Sequence, residues 1–129
     1  KEALREKLSP LAYRVTQEKG TERPFTSSFA ESWHEGEYHC VVCDALLFES
    51  GHQFNAGCGW PSFDAPASVA AVAEHRDVSH GMIRTEVVCH NCGAHLGHLF
   101  PDGPPKSTGL RYCINGAALN FLHEPDVAD

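Results

Sequence analysis

Two cysteine pairs, Cys40-Val-Val-Cys43 and Cys89-His-Asn-Cys92, constrain this chain more than any other feature. Each is a C-x-x-C knuckle, in which two intervening residues form a tight turn that aims both sulfurs at one point. Four thiolates presented this way match the ligand set of a tetrahedral structural zinc ion. The knuckles are separated by 45 residues, beyond the ~15–20 residues of a compact zinc ribbon, so one ion would pin two hairpin ends that are remote in sequence. Two disulfides or a redox-active pair are the competing readings. A redox C-x-x-C needs its thiolate at a helix N-terminus, and neither knuckle precedes a helical pattern. Four sulfurs leave a Zn2+ no open position for water, so this site clamps the fold and performs no chemistry.

The remaining architecture follows from the punctuation of the chain. Within residues 1–20, "KEALREKL" and "LAYRVTQEK" read as two short helices, with Ser9 as cap, Pro10 at the first position of the second helix and Gly20 closing it. From Glu37 onward, Gly, Pro, Asp and His separate short runs rich in Val, Tyr, Phe and Ile. The runs "EYHCV", "ALLFES", "SVAAVAEHRD", "GMIRTEVVC", "HLGHLF" and "RYCINGAALNF" read as strands. The 129 residues therefore predict one mainly β domain, with a zinc-clamped core over residues 37–122. "FNAGCGWPSF" and "PDGPPKSTGL" read as irregular loops, and long loops in small domains often carry function.

Charge and hydropathy exclude two partner classes. Lys and Arg number 10 against 17 Asp and Glu, a net charge of −7 with no basic run, which leaves no footprint for nucleic acid. No apolar stretch approaches the ~18 residues of a membrane span, and the charged N-terminus is unlike a signal peptide. A soluble, cytoplasmic monomer is the expectation.

With four cysteines assigned to metal, Cys113 in "RYCIN" and Cys58 in "AGCGWP" remain. Free cysteine is commonly a small buried hydrophobe. In a strand, however, Arg111 and Asn115 share the face of Cys113, and an apolar core would not accept such a row without partners. A guanidinium near a thiol favours the nucleophilic thiolate, so Cys113 is expected to ionise near neutral pH. "HLGHLF" offers His95 and His98 as proton donors, with Gly97 between them allowing a close approach. His34, His39, His52, His75, His80, His90 and His123 are scattered and read as surface residues. Trp60 and Phe63 suit either the edge of the core or the wall of a ligand pocket.

Taken in order, "GTERPF", the two knuckles, "GCGWPSF", "RTEV", "HLGHLFPDGP" and "GLRYCIN" resemble the methionine-R-sulfoxide reductases, type B of the methionine sulfoxide reductases, between Arg14 and Phe121. One departure is Ser28 before Phe29, where the family more often has Gly. The resemblance implies two antiparallel sheets in a β-tent (Mss4-like) arrangement with short N-terminal helices, and a structural zinc held by Cys40, Cys43, Cys89 and Cys92 away from the active site. It also implies that Cys113 is the catalytic cysteine and Cys58 the resolving one. Trp60, Phe63, His95, His98, Arg111 and Asn115 would build the substrate site.

In that reading the Cys113 thiolate attacks the sulfoxide sulfur while His98, helped by His95, protonates the oxygen. Arg111 lowers the thiol pKa, Asn115 positions polar groups, and Trp60 packs on the methyl group. Cys113 becomes a sulfenic acid, Cys58 captures it as a disulfide, and thioredoxin resets the pair. The substrate is methionine-R-sulfoxide, free or in peptides. The rival reading is a non-enzymatic zinc-clamped module that binds a partner through Trp60 and the Pro-rich loop. A zinc deaminase is excluded, because its H-x-E and P-C-x-x-C signature is absent.

Overall fold

The computed structural model describes residues 2–23, 35–54, 56, 58–78, 81–104 and 106–123. The "PFTSSFAESW" stretch with Ser28 and Phe29, together with His34 and His80, lies outside the described residues. Helix α1 spans Glu2–Lys7 and α2 spans Pro10–Glu18. Ser9 caps α2 by accepting the Ala12 N–H at 3.1 Å, with Pro10 in the first turn. The left-handed residue that ends α2 is Lys19, at φ 58°, not Gly20. Gly20 is needed for closeness instead: its N–H meets the Arg14 carbonyl at 2.9 Å, and a Cβ there would lie 2.9 Å from Arg14 Cγ. None of the described helices is long and apolar enough to cross a membrane.

The described strands form two antiparallel sheets. β1 (Gly36–Cys40), β2 (Leu46–Glu49) and β9 (Leu119–His123) make a three-stranded sheet in the order β2-β1-β9. β3 (Gln53–Phe54), β4 (Ser62–Phe63), β5 (Val72–Asp77), β6 (Arg84–Cys89), β7 (His95–Phe100) and β8 (Arg111–Ile114) make a six-stranded sheet in the order β3-β4-β8-β7-β6-β5. The stretch "RYCINGAALNF" is therefore two strands in different sheets. It breaks at Asn115, and a 3-10 turn over Gly116–Ala118 redirects the chain. β3 and β4 sit where the sequence suggests only loop.

The β1–β2 and β6–β7 hairpins are built alike. In each, the first cysteine donates its N–H across the turn, Cys40 to Ala45 at 2.8 Å and Cys89 to Ala94 at 2.9 Å. Asp44 and Gly93 follow the knuckles at φ 70° and 79°. Pairing then skips Leu47 in one hairpin and Leu96 in the other, a bulge in each returning strand. Both leucines are fully buried.

The core lies between the sheets. Phe48 of the small sheet stacks on Phe63 of the large one with centroids 4.3 Å apart, Tyr38 meets Phe63 edge-on at 5.2 Å, and Tyr112 approaches Phe48 at 5.9 Å. Strand alternation then sends Arg111 and Cys113, flanking Tyr112, to the opposite face of the large sheet.

Candidate active site

On that opposite face, the register places functional side chains in two adjoining rows. One runs Glu86, His98, Cys113, Ser62 across β6, β7, β8 and β4, since these residues pair directly. In the next row Phe100 faces Arg111 and Asp77 faces Arg84. Directly opposed residues put their side chains ~5 Å apart on one face. Gly97 is required where β8 crosses, because a Cβ there would sit 2.1 Å from the Cys113 carbonyl oxygen. His95 and His98 would point to opposite faces of a regular strand, and the Leu96 bulge restores them to one face, with rings 5.6 Å apart.

A cavity of about 290 Å³ opens over these rows. Its wall contains Cys113 with Cys58, Trp60 and His98, and further Thr21, Arg84, Gly97, Phe100, Arg111 and Asn115. The Sγ atoms of Cys58 and Cys113 are 3.4 Å apart. Cys58 Sγ also meets the Ser62 hydroxyl at 3.4 Å. Arg111 is tied to Asp102 through Nε at 2.8 Å and Nη2 at 3.3 Å, with its guanidinium 4.4 Å from the Phe100 ring centre.

Two of the expected site residues are placed differently. Phe63 is fully buried in the core cluster and does not line the cavity, because its strand position faces the other sheet. His95 lies just off the cavity wall, 4 % exposed, with Nδ1 2.7 Å from Glu86 and Nε2 buried without a partner. Burial outweighs the Glu86 contact and holds the His95 pKa below the usual imidazole value. Asn115 reaches the cavity edge, but its amide is used structurally. Its Nδ2 donates to the carbonyl of bulged Leu96 at 2.9 Å and its Oδ1 accepts the Glu22 N–H at 2.9 Å.

The expected ionisation of Cys113 is also corrected. Burial and the adjacent Cys58 push its thiol up to about 12, against the smaller opposing pull of Arg111. Burial alone would raise Cys58 too, but hydrogen bonds at Ser62, Trp60 and Cys113 bring it below the usual thiol value. Of two thiols this close, Cys58 is the one whose ionisation is favoured.

Several residues here carried no signal in the sequence reading. Glu22 is 2 % exposed; its carboxylate accepts the N–H groups of Gly116 and Ala117 at 2.9 Å each, and its carbonyl accepts the Trp60 indole N–H at 3.0 Å. Asp77 holds His98 Nε2 at 2.7 Å. Asp102 anchors Arg111. Among the histidines read as surface, His75 and His90 are exposed, whereas His39 and His52 are partly buried and paired with carboxylates.

The four knuckle sulfurs lie within 4.8 Å of one another. Cys40 and Cys92 are 3.7 Å apart and Cys43 and Cys89 3.6 Å, whereas a tetrahedron of ~2.3 Å metal–sulfur bonds has edges of ~3.8 Å. All six cysteines are free, so the donor set and its spacing fit a metal ion and not a disulfide pair. None of these four sulfurs lines the cavity.

The SelR domain model matches residues 8–123. The peptide methionine sulfoxide reductase MsrB of Chromohalobacter salexigens is 60 % identical over 116 residues, covering 90 % of this chain and 87 % of its own. That of Pseudomonas savastanoi pv. phaseolicola is 59 % identical over 121 residues, 94 % of this chain and 92 % of its own. That of Burkholderia thailandensis is 54 % identical over 123 residues, 95 % and 86 %. The chain belongs to the SelR family, that of the methionine-R-sulfoxide reductases of type B.

Proposed function

We propose that this chain reduces methionine-R-sulfoxide to methionine, with Cys113 as nucleophile and Cys58 as resolving thiol. The observation that carries this reading is the 3.4 Å Cys58–Cys113 contact at the wall of a cavity that also presents Trp60 and His98. Methionine sulfoxide offers an electrophilic sulfur, a basic oxygen and a methyl group, so the site must provide a nucleophile, an acid and an apolar wall. Cys113 is the nucleophile, His98 the acid, and the Trp60 indole packs on the methyl group and so discriminates between epimers.

Cys113 Sγ attacks the sulfoxide sulfur, and the oxygen, taking a proton from His98, ends on Cys113 as a sulfenic acid. Methionine leaves two electrons richer and Cys113 two electrons poorer. Cys58 Sγ attacks the Cys113 sulfur, the S–OH bond breaks and the Cys58 thiol proton leaves with the hydroxyl as water; the sulfurs need to close from 3.4 Å to the ~2.05 Å of a disulfide. A dithiol reductant of the thioredoxin kind returns both thiols by exchange. Arg111, fixed by Asp102, adds positive charge beside the attacking sulfur. Cys40, Cys43, Cys89 and Cys92 would hold Zn2+, which would tie the two hairpins together. Six free thiols suit a reducing compartment such as the cytoplasm.

Single-turnover reduction of separated R and S sulfoxides tests the reading. The wild type should release methionine from the R epimer only, and Cys113→Ser should release none. Retained turnover in Cys113→Ser would transfer the nucleophile to another residue.

A further inference from the structure

We infer that Asp77 is the positioning residue of the proton donor, so that Cys113, His98 and Asp77 form one relay in which His98 Nδ1 carries the mobile proton. The inference rests on the proposed role of His98 and goes beyond it by assigning the nitrogen and the group that fixes it. Asp77 closes β5 and pairs with Arg84 at the start of β6, whose Nη2 lies 3.5 Å from Asp77 Oδ2. The same oxygen meets His98 Nε2 at 2.7 Å, with both side chains less than one fifth exposed. A carboxylate accepts, so Nε2 keeps its hydrogen in the neutral and the cationic ring alike. Nδ1 is left as the nitrogen that gains and loses a proton. No protein partner for Nδ1 is found among the described residues, while His98 itself lines the cavity and sits directly opposite Cys113.

His95 is bound the other way round, through Nδ1 to Glu86, and its Nε2 is sealed in the protein. The two histidines are therefore locked in opposite tautomers, and His98 alone has its exchangeable nitrogen at the cavity. The relay also accounts for a Cys113 that is protonated at rest. The S–H bond breaks to Nδ1 as the sulfur attacks, and Nδ1 passes that proton to the sulfoxide oxygen. His98 ends neutral, and no oxidant other than the sulfoxide is required.

The experiment is single-turnover methionine formation over a range of sulfoxide concentrations. Asp77→Asn should lower the maximal rate at least tenfold, part of the ~100- to 10,000-fold that positioned proton transfer provides. The half-saturating sulfoxide concentration should change little, and Asp77→Glu should restore most of the rate. A loss that tracks melting temperature or falls on half-saturation instead of the maximal rate, or an unchanged rate, would overturn the inference. Nitrogen NMR of the wild-type ring gives a reading independent of any variant: a neutral His98 protonated at Nε2 is expected, and one protonated at Nδ1 refutes the relay. A silent His98→Asn would remove the proposed role of His98 itself, whereas an inactive His98→Asn beside a normal Asp77→Asn would remove only the relay.

Discussion

Cys58 and Cys113 hold their sulfurs 3.4 Å apart although 55 residues separate them in sequence. Burial opposes ionisation at both, but the Ser62 and Trp60 hydrogen bonds bring Cys58 below the usual thiol value, while burial pushes the Cys113 thiol up to about 12. Cys58, the proposed resolving thiol, and not Cys113, is therefore the more reactive toward a general electrophile in the resting protein. Limited alkylation at neutral pH with peptide mass mapping should modify Cys58 first. Preferential modification of Cys113 would reverse this order of ionisation.

The same contact separates single from multiple turnover. Cys58→Ser should still release about one methionine per chain in the absence of reductant, because the proposed first step uses Cys113 without Cys58, and thioredoxin-driven recycling should fall by at least tenfold. The ratio of burst amplitude to steady-state rate measures this. Undiminished recycling in Cys58→Ser would point to another resolving group.

The knuckle site makes a stability prediction. The β1–β2 and β6–β7 hairpins belong to different sheets, and four sulfurs within 4.8 Å join them. Without a cation they cannot all ionise: through its hydrogen bond to Cys40, Cys89 is held down at about 5 while Cys40 is driven far above the thiol range. Binding one Zn2+ should be worth several kcal/mol of folding free energy, set against the ~10–16 kcal/mol measured for structural zinc peptides. Metal analysis should give one ion per chain, and Cys92→Ser should lose it and melt at least ~10 °C lower. A metal-free protein with unchanged melting would show that the hairpins need no clamp.

Short-range pattern made much of this legible and long-range contact accounts for the remainder. C-x-x-C spacing is local, so the four ligands could be read directly, and strand alternation put Arg111 beside Cys113. The shared face of His95 and His98 depends on the Leu96 bulge, which no spacing rule reveals; i, i+3 in a regular strand would have separated them. Asp77 lies 21 residues from His98 and Glu22 lies 93 from Asn115, so neither could be assigned without the fold. Phe63 misled because it follows a Gly-rich loop, yet it occupies a two-residue strand whose alternation turns it into the core. For Cys113, the sequence displays Arg111 but not the burial that outweighs it.

Glu22 supports the Trp60 wall indirectly. Its carbonyl holds the indole N–H at 3.0 Å while its carboxylate closes the Gly116–Ala118 turn through two backbone N–H groups. Glu22→Ala leaves the buried Gly116 N–H and the half-buried Ala117 N–H without the carboxylate, at ~1–3 kcal/mol for the buried donor and less for the one water can reach, so denaturant unfolding should show a loss of ~1–4 kcal/mol. Glu22→Gln keeps one acceptor oxygen and should lose less. In both variants KM for the sulfoxide should rise as the Trp60 anchor loosens. Equal stability of wild type and Glu22→Ala would mean the turn does not depend on the carboxylate.

His95 gives the fold a defined acid sensitivity. Its ring is buried and its pKa is lowered, chiefly by burial. Between that lowered value and the ~6.5 of the unfolded chain, the unfolded state binds the extra proton, so stability rises with pH across this window and is lost as pH falls below ~6.5. His39 works in the opposite sense. Burial opposes its protonation, but hydrogen bonds to the Asp44 carbonyl and Glu37 more than offset this and raise its pKa. Its contribution is therefore full at low pH and fades as pH rises through the folded value. The net slope mixes both, and the test is a difference. Unfolding free energies of wild type and His95→Gln compared from pH 7.5 down to ~5 should show a shallower acid-side loss in the variant, with a steeper loss for His39→Gln. Parallel curves for wild type and His95→Gln would mean that the buried ring takes up its proton without opposing the fold.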